Sequence, residues 1–292
     1  MVATLTALSN LSSEELKLFG EVWQGIEVKR RRQIVRRLIR LAVKNVTLNF
    51  DDLFRICLRD HDPVVRVKGI EGLWECEDCT LIRLLIEMLN EDSDEAVRAA
   101  AASALSRFAL LAELRKVPLR HVAKISEALF SVIDNPQERV ELRRCAIEAV
   151  APLSSPPVKE VIDRAYRSRE LNLKISALRA MGRNSDPYWL PILLKELTNP
   201  HLEVRVEAVR ACGELGEEKV VPHLSRLIAD AQSQVRCAAI EALGKIGRSE
   251  ARQLLHPYSG SADEQISSLA RKATEETEFE DDFLPFNIEF RE

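Results

Sequence analysis

The stretch VRVEAVRACG at residues 204–213 returns 31 residues later as VRCAAIEALG at residues 235–244. In both copies, apolar or small residues stand at offsets 0, +4, +7 and +8 from the leading valine, and a glycine stands at offset +9. These offsets fall on one side of an α-helix with 3.6 residues per turn. The stretch therefore predicts an amphipathic helix whose apolar side is rich in small residues, so that a neighbouring helix can approach closely.

The same pattern recurs along the chain at a nearly constant interval. Successive starts are separated by 32, 45, 31, 31, 31 and 31 residues. The starts are Val65, Val97, Leu142, Leu173, Val204, Val235 and, in a degenerate copy, Ile266. A constant period of this length is typical of helical-repeat proteins. The longer interval of 45 residues indicates an insertion near 110–123, which either lengthens a helix or forms a projecting loop.

A second apolar segment lies between successive copies, as in WLPILLKEL at residues 189–197. Asp186 and Pro187 precede this segment in the order of a helix N-cap and a first helical position. Each unit is thus predicted to be two helices joined by short turns. Because such a pair can bury its apolar side only by stacking on its neighbours, we predict an all-α solenoid of about eight helix pairs.

The composition agrees with a helical protein that has an ample core. The 292 residues include 10 Gly and 12 Pro, and hydrophobic residues make up 46% of the chain. No apolar run reaches the 18 residues expected of a membrane-spanning helix. The first ten residues lack the cationic segment of a secretory signal, and the six cysteines do not form the pattern of a disulfide framework. We therefore expect a cytoplasmic protein without a membrane partner.

The repeat resembles HEAT repeats, specifically the short 31-residue class found in phycobilin lyase subunits and deoxyhypusine hydroxylase. The resemblance covers about residues 50–274 and implies a right-handed, armadillo-like superhelix. It also implies a ladder of side chains between units, built from a basic residue in each unit and an Asp six residues before it. The matching pairs are Asp60 with Arg66, Asp92 with Arg98 and Asp230 with Arg236, and the departures are Gln137, Ser168 and Asn199. We therefore expect the ladder to be incomplete.

Two oppositely charged segments flank the predicted array of residues 50–274. Residues 1–49 are predicted to form a helical capping unit that begins with a capping box at residues 12–15. The second helix of this unit, at about residues 27–44, has a net charge of +7, and the tail at residues 275–292 has a net charge of −7. The helix includes Arg30, Arg31, Arg36, Arg37 and Arg40, and the tail includes Phe279, Phe283, Phe286 and Phe290. The tail either docks on a basic or apolar groove or serves as a solubilising extension.

The resemblance places the second helix of each unit on a concave side, with offsets +3, +6 and +10 on its exposed stripe. This stripe mixes both signs of charge and has a small basic spot at Arg179, Arg183 and Arg210. Such a surface suits a folded protein or peptide better than a nucleic-acid backbone, which requires a uniformly basic stripe. The candidate partner-binding residues are Lys68, Glu71, Arg107, Glu148, Arg179, Arg183, Arg210, Glu214 and Glu241.

The sequence contains no pattern that assigns a catalytic reaction, a cofactor or a metal. Cys76 and Cys79 form a C-x-x-C, but a zinc site needs four ligands and a redox motif needs a βαβ context. None of the five His is followed by Glu, which argues against the di-iron site of deoxyhypusine hydroxylase-like proteins. No Ser-His-Asp signature, P-loop or glycine-rich dinucleotide loop is present.

These observations favour a non-catalytic scaffold or adaptor that binds a protein partner on the concave face. One alternative is a phycobilin-lyase-like subunit or chaperone for chromophore attachment, although no chromophore-handling motif is present. Another is nucleic-acid binding through the basic N-terminal helix. Against it, the basic residues of this helix are spread around it rather than along one side, and few aromatic residues lie nearby.

Overall fold

The computed structural model describes the backbone of residues 5–282 and the side chains of residues 5–275. From Ser13 onward, these residues form sixteen α-helices and no strand. The helices fall into two compact units, residues 1–153 and residues 154–292. The prediction of an all-α fold of about eight helix pairs is therefore confirmed. None of the described helices is both long enough and apolar enough to cross a membrane.

In the first unit, the second helices of successive pairs pack side by side, and three of the first helices pack against them as another layer. The second helices are α2 (Val28–Lys44), α4 (Pro63–Gly72), α6 (Glu95–Glu113) and α8 (Val140–Val150). The first helices are α1 (Ser13–Trp23), α3 (Asp51–Cys57), α5 (Thr80–Glu91) and α7 (Leu119–Ile133), and α3, α5 and α7 form the layer. The leading residues of the repeat pattern, Val65, Val97 and Leu142, are buried between these helices. The predicted apolar side thus faces the core.

The second unit repeats this arrangement with shorter first helices. Its second helices are α10 (Leu171–Asn184), α12 (Leu202–Leu215), α14 (Ser233–Ile246) and α16 (Glu264–Asp282). Its first helices are α9 (Pro156–Tyr166), α11 (Leu190–Glu196), α13 (Val221–Leu227) and α15 (Ser249–Leu255). A 3-10 turn at Pro187–Trp189 leads into α11, and Asp186 caps it by accepting a hydrogen bond from the Tyr188 amide at 2.9 Å. The helix start predicted at Asp186 and Pro187 is confirmed.

The repeated glycines mark the places where neighbouring helix backbones touch. A Cβ on Gly213 would lie 2.6 Å from Cα of Ala242, and a Cβ on Gly182 would lie 2.8 Å from Cα of Ala211. A Cβ on Gly244 would meet the Cβ of Ala273 at 2.6 Å. These distances are shorter than atoms tolerate, so only glycine fits at offset +9 in the packing of α10, α12, α14 and α16. The close approach predicted from the small residues is confirmed.

The insertion predicted near 110–123 lengthens two helices rather than forming a loop. Helix α6 has 19 residues and α7 has 15, whereas the corresponding α12 and α13 have 14 and 7. Between α6 and α7, Arg115 adopts a left-handed backbone with φ of 59°. The amide of Lys116 then donates to the carbonyl of Leu111 at 2.8 Å, which satisfies an end carbonyl of α6.

A ladder of ion pairs joins successive repeats, and it is more complete than the sequence predicted. Arg66 donates to both carboxylate oxygens of Asp92 in the next repeat, at 2.8 Å from Nε and 2.6 Å from Nη2. Where Gln137 replaces the expected Asp, Arg98 instead pairs with Glu138. Planar bidentate pairs of this kind fix the relative position of two helices as well as attracting them.

The ladder continues in the second unit with a different acid in one place. Lys174 lies 3.0 Å from Oε1 of Glu196, so the Asn at position 199 does not break the series. Arg205 and Arg236 lie 4.0 Å from carboxylate oxygens of the following repeat. Those carboxylates belong to Asp230 and Asp263. In the first unit, Arg143 makes no ion pair with any residue that the structure describes and donates to the backbone oxygen of Ile133.

Glu196 is the most enclosed carboxylate of the second unit's ladder, with 2% of its surface exposed. The Tyr166 hydroxyl donates to Oε1 of Glu196 at 2.5 Å, and Lys174 and the Asn199 amide donate to the same carboxylate. Burial by itself raises the pKa of Glu196, but these hydrogen bonds outweigh it and hold the pKa below its ordinary value of 4.5. Burial and the contact with Glu196 raise the pKa of Tyr166. The cluster therefore stabilises the ionised form of Glu196.

We expect the second unit to lose stability in acid partly through Glu196. A carboxyl whose pKa is lowered by folding contributes stability in full above its ordinary pKa, and loses it as the pH falls through the lower folded value. Between pH 5 and pH 3, the wild type should therefore lose more free energy of unfolding than Glu196→Gln, which cannot titrate. Urea titrations of both proteins across this range measure the difference. Parallel pH profiles would show that Glu196 makes no contribution.

Candidate partner-binding groove

Three neighbouring helices of the second unit, α10, α12 and α14, enclose a shallow groove of about 160 Å³. Six of the eight side chains that line it stand at offsets +6 and +10 of these helices, because residues four apart share one side of a helix. The groove is lined by Arg179, Arg183, Glu207, Arg210, Glu214, Glu241, Ala242 and Lys245. The structure therefore brings together all five of the candidate residues that lie in the second unit.

Several of the charged side chains in the groove are already paired. Arg179 donates to both carboxylate oxygens of Glu207, from Nε at 2.9 Å and from Nη2 at 2.8 Å. Glu207 is only 5% exposed, and this bidentate pair holds α10 against α12. Lys245 and Glu214 approach to 3.3 Å between α14 and α12. These pairs position the groove and reduce its net charge.

Arg210 occupies the same repeat offset as Arg179 but lacks its partner. Arg179 pairs with the carboxylate of Glu207, which lies 28 positions later in the chain. The residue 28 positions after Arg210 is Ala238. Arg210 is exposed and makes no ion pair with the described residues, and the same holds for Glu241, which lines the same groove. The groove therefore presents one cation and one anion that are available to an incoming ligand.

The other four predicted partner-binding residues lie on second helices of the first unit. Lys68 and Glu71 form an ion pair with each other along α4. Arg107 on α6 donates to the backbone oxygen of Glu75 and lies 3.1 Å from a carboxylate oxygen of Glu77. Glu148 lies on α8. Lys68, Glu71 and Arg107 are thus engaged within their own unit, in contrast to Arg210 and Glu241.

The basic helix of the predicted capping unit, now α2, differs from its prediction in one respect. Arg31 was predicted among the basic residues of this helix, but it is 5% exposed. Its guanidinium pairs with Asp60 at 3.0 Å and donates to the backbone oxygens of Gln24 and Ile26. Arg31 is therefore a structural residue and is not available to a ligand.

Because Arg31 is buried, the exposed charges of α2 are distributed differently from the prediction. Arg32 is directed to Asp62, with Nε 2.9 Å from Oδ1. The exposed basic residues that remain on α2 are Lys29, Arg30, Arg36, Arg37, Arg40 and Lys44. At about 100° per residue, they fall within an arc of about 120° on the side opposite the buried Val35 and Leu38. The prediction that basic residues are spread around this helix is wrong for its exposed residues.

The thiols of the described residues show no sign of reactivity. All six cysteines are free, and burial raises the pKa of Cys57 and of Cys212 to about 12. Cys76 and Cys79 lie in the turn between α4 and α5, and burial also raises the pKa of Cys76, which keeps this thiol protonated. Within the described residues, no three His, Cys, Asp or Glu side chains lie close enough to hold a metal ion.

The side chains of the tail phenylalanines are not described by the structure, and two residues that line the groove were not among the candidates. Phe283, Phe286 and Phe290 of the tail, and the side chain of Phe279, lie outside the described residues. Glu207 and Lys245 line the groove but were absent from the predicted set. The exposed stripe at offsets +3, +6 and +10 includes both, and only the choice of candidate residues left them out.

Comparison with known proteins agrees with this architecture. The family model for HEAT repeats matches residues 50–117, 158–236 and 190–275, which together make up more than half of the chain. No curated protein matches the sequence. Among solved structures, the chain is similar to the complex of CpcE and CpcF of phycocyanin lyase from Nostoc sp. PCC7120. That match has 18% identity and a TM-score of 0.50, and it covers 78% of this chain and 94% of the other.

Two further solved structures are similar at lower scores. The Escherichia coli protein YibA has 19% identity and a TM-score of 0.47, with 86% of this chain and 98% of that chain covered. Human deoxyhypusine hydroxylase in complex with glycerol has 17% identity and a TM-score of 0.39, with 91% and 96% covered. The likeness to the CpcE and CpcF complex concerns the fold, and the family match rests on the repeats themselves. The chain belongs to the HEAT-repeat family.

Proposed function

We propose that this HEAT-repeat protein is a non-catalytic scaffold that binds a partner protein in the groove of α10, α12 and α14. Stacked helical repeats present extended surfaces that commonly bind other proteins. The observation that carries the proposal is the contrast between Arg179 and Arg210. Arg179 is neutralised by Glu207, whereas Ala238 stands at the position corresponding to Glu207 for Arg210, whose charge stays available.

The charges in the groove indicate the chemistry of the partner. The lining residues include four cations and three carboxylates, so the groove has nearly balanced charge. A nucleic-acid backbone, which presents a row of negative charges alone, would meet the carboxylates unfavourably. A peptide segment with an acidic side chain for Arg210 and a basic one for Glu241 would satisfy both available groups. The partner is therefore a protein segment that carries both charges.

The lining of the groove also bears on the alternative of chromophore attachment. The CpcE and CpcF complex belongs to a phycocyanin lyase, and this chain shares its fold. The side chains lining the groove are Arg, Glu, Lys and Ala, with no thiol or imidazole among them. Protein binding therefore uses the charged groups that are present, whereas attachment of a bilin through a thiol finds no thiol in this groove. The free thiols throughout the described residues support a reducing compartment, the cytoplasm.

Reversing Arg210 tests the proposal. We expect Arg210→Glu to lower the recovery of the partner at least tenfold, because one attraction becomes a repulsion at the centre of the groove. The measurement is quantitative mass spectrometry of proteins that co-purify with the tagged wild type and the tagged variant. Arg226→Glu is the matched control, since Arg226 is an exposed arginine of α13 that does not line the groove. Equal recovery of every protein with both variants would refute the assignment of this groove.

A further inference from the structure

The exposed side of α2 is a cationic surface. Four of its basic residues, Lys29, Arg36, Arg40 and Lys44, are exposed and make no ion pair with the described residues. Helix α2 contains no acidic residue. Arg31 and Arg32 are directed away from this side and pair with Asp60 and Asp62. A uniform positive field therefore covers one side of this helix.

Apolar side chains border this cationic surface. Val43 lies beside Arg36 and Arg40 on the helix and is 65% exposed, and Val46, just beyond the end of α2, is 89% exposed. Exposed apolar residues that cluster next to charge are typical of a binding surface rather than of a solvated helix.

The position of α2 in its unit explains why this side is open. The second helices α4 and α6 each pack between two other second helices, whereas α2 packs against α4 alone among the second helices of its unit. Among the described second helices, α4 is thus the one neighbour that covers part of α2. A ligand for this surface therefore needs negative charge for the arc of cations and apolar groups for Val43 and Val46.

We propose that the surface of α2 binds the C-terminal segment, residues 275–292, of a second copy of this chain. The segment carries eight acidic residues and one basic residue, and it contains Phe279, Phe283, Phe286 and Phe290. Its acidic groups match the cations of α2, and its phenylalanines match the exposed apolar side chains beside them. Nucleic acid supplies the negative charge but leaves the apolar border without a partner, so the observations favour the segment.

This binding mode has a consequence for assembly. The two surfaces that meet are different, one at the start of the chain and one at its end, so the contact is heterologous. Association should therefore depend on protein concentration. It should also weaken as salt rises, because the Debye length falls from about 10 Å at 0.1 M to about 3 Å at 1 M ionic strength. Neither dependence is required by the groove proposed for the partner protein.

The test is sedimentation velocity of the full chain over a range of concentrations, with variants that reverse the charges on each side. We expect the wild type to self-associate at low salt. We expect Arg36→Glu with Arg40→Glu, and separately Glu280→Lys with Asp281→Lys and Asp282→Lys, to weaken that association at least tenfold. A control that reverses the exposed Arg59 and Lys124 should leave association unchanged. Mixing the two charge-reversed variants should restore it, because each then offers the charge that the other lacks.

Three results would overturn the proposal. One is a wild type that sediments as a single monomeric species at every concentration. Another is unchanged association in both charge-reversed variants, each shown to be folded by circular dichroism. The third is binding of a labelled DNA duplex that the Arg36→Glu and Arg40→Glu variant loses, without any change in self-association, which would make this surface a nucleic-acid site. If the α2 variant fails to fold, the tail variant, whose changes lie far along the chain, carries the same comparison.

Discussion

Replacing Asp60 by Ala is expected to lower the free energy of unfolding of the first unit by about 3–5 kcal/mol. Asp60 is 2% exposed, accepts a hydrogen bond from Nε1 of Trp23 at 2.7 Å and pairs with Arg31. Its Oδ1 also accepts from the Asp62 amide at 2.9 Å. The variant leaves the buried guanidinium of Arg31 and the indole N–H without this acceptor, and removal of one member of a buried ion pair is costly for that reason.

Urea unfolding followed by tryptophan fluorescence measures this loss, since Trp23 is fully buried beside the variant position. Asp60→Asn should cost less than Asp60→Ala, because the amide oxygen can still accept from the indole. The control is Arg83→Ala, which removes an ion pair with Glu87 whose side chains are 86% and 50% exposed. That change should cost less than about 1 kcal/mol. If Asp60→Ala costs no more than Arg83→Ala, the buried cluster does not stabilise the unit.

Replacing Gly213 by Ala is expected to destabilise the second unit by about 1–3 kcal/mol, although Ala is the better helix former. The added methyl would meet Cα of Ala242 at 2.6 Å and its Cβ at 2.8 Å. Both atoms belong to the backbone or lie next to it, so no side-chain rotation relieves the contact. Helices α12 and α14 must separate, and the apolar packing between them is lost over their length.

Gly20→Ala is the matched control because Gly20 also lies inside a helix, α1, and a Cβ there would have no neighbour within 4 Å. There the helix propensity acts alone and should raise the stability of the first unit by up to about 1 kcal/mol. Thermal and urea unfolding of both variants should therefore give changes of opposite sign. Two changes of the same sign would mean that the approach of α12 to α14 is not as close as described.

The repeat offsets were enough to predict how the helices pack. Close packing depends on small residues at fixed positions, and Gly182, Gly213 and Gly244 recur at one offset for that reason. The capping box at Ser12 was likewise readable, because it involves residues only three positions apart. Local spacing therefore predicts both the ends of helices and the sides on which they meet.

The partners of the ladder were harder to predict, because a carboxylate can reach the same place from more than one position. Arg98 pairs with Glu138 rather than with the residue at 137, and Lys174 pairs with Glu196 rather than with the residue at 199. The burial of Arg31 depends on Asp60, 29 residues away, and could not be inferred from the charges of its own helix.

The unpaired charge of Arg210 likewise could not be predicted from one repeat offset at a time. The sequence placed Arg210 in a basic spot with Arg179 and Arg183, but did not distinguish paired from unpaired members. That distinction depends on a diagonal contact from offset +6 of one helix to offset +3 of the next, where Glu207 serves Arg179. Packing geometry is needed to see the diagonal, and Ala238 then explains why Arg210 differs.

Site-specific photo-crosslinking tests the central claim, that a partner protein occupies the groove of α10, α12 and α14, most directly. A photoreactive amino acid is placed at position 245, which lines the groove and leaves Arg210 and Glu241 in place, or at position 226 on α13, and cells are irradiated before purification. We predict a covalent adduct with another protein from position 245 and none of that species from position 226. An adduct from position 226 alone, or the same adduct from both positions, would contradict it.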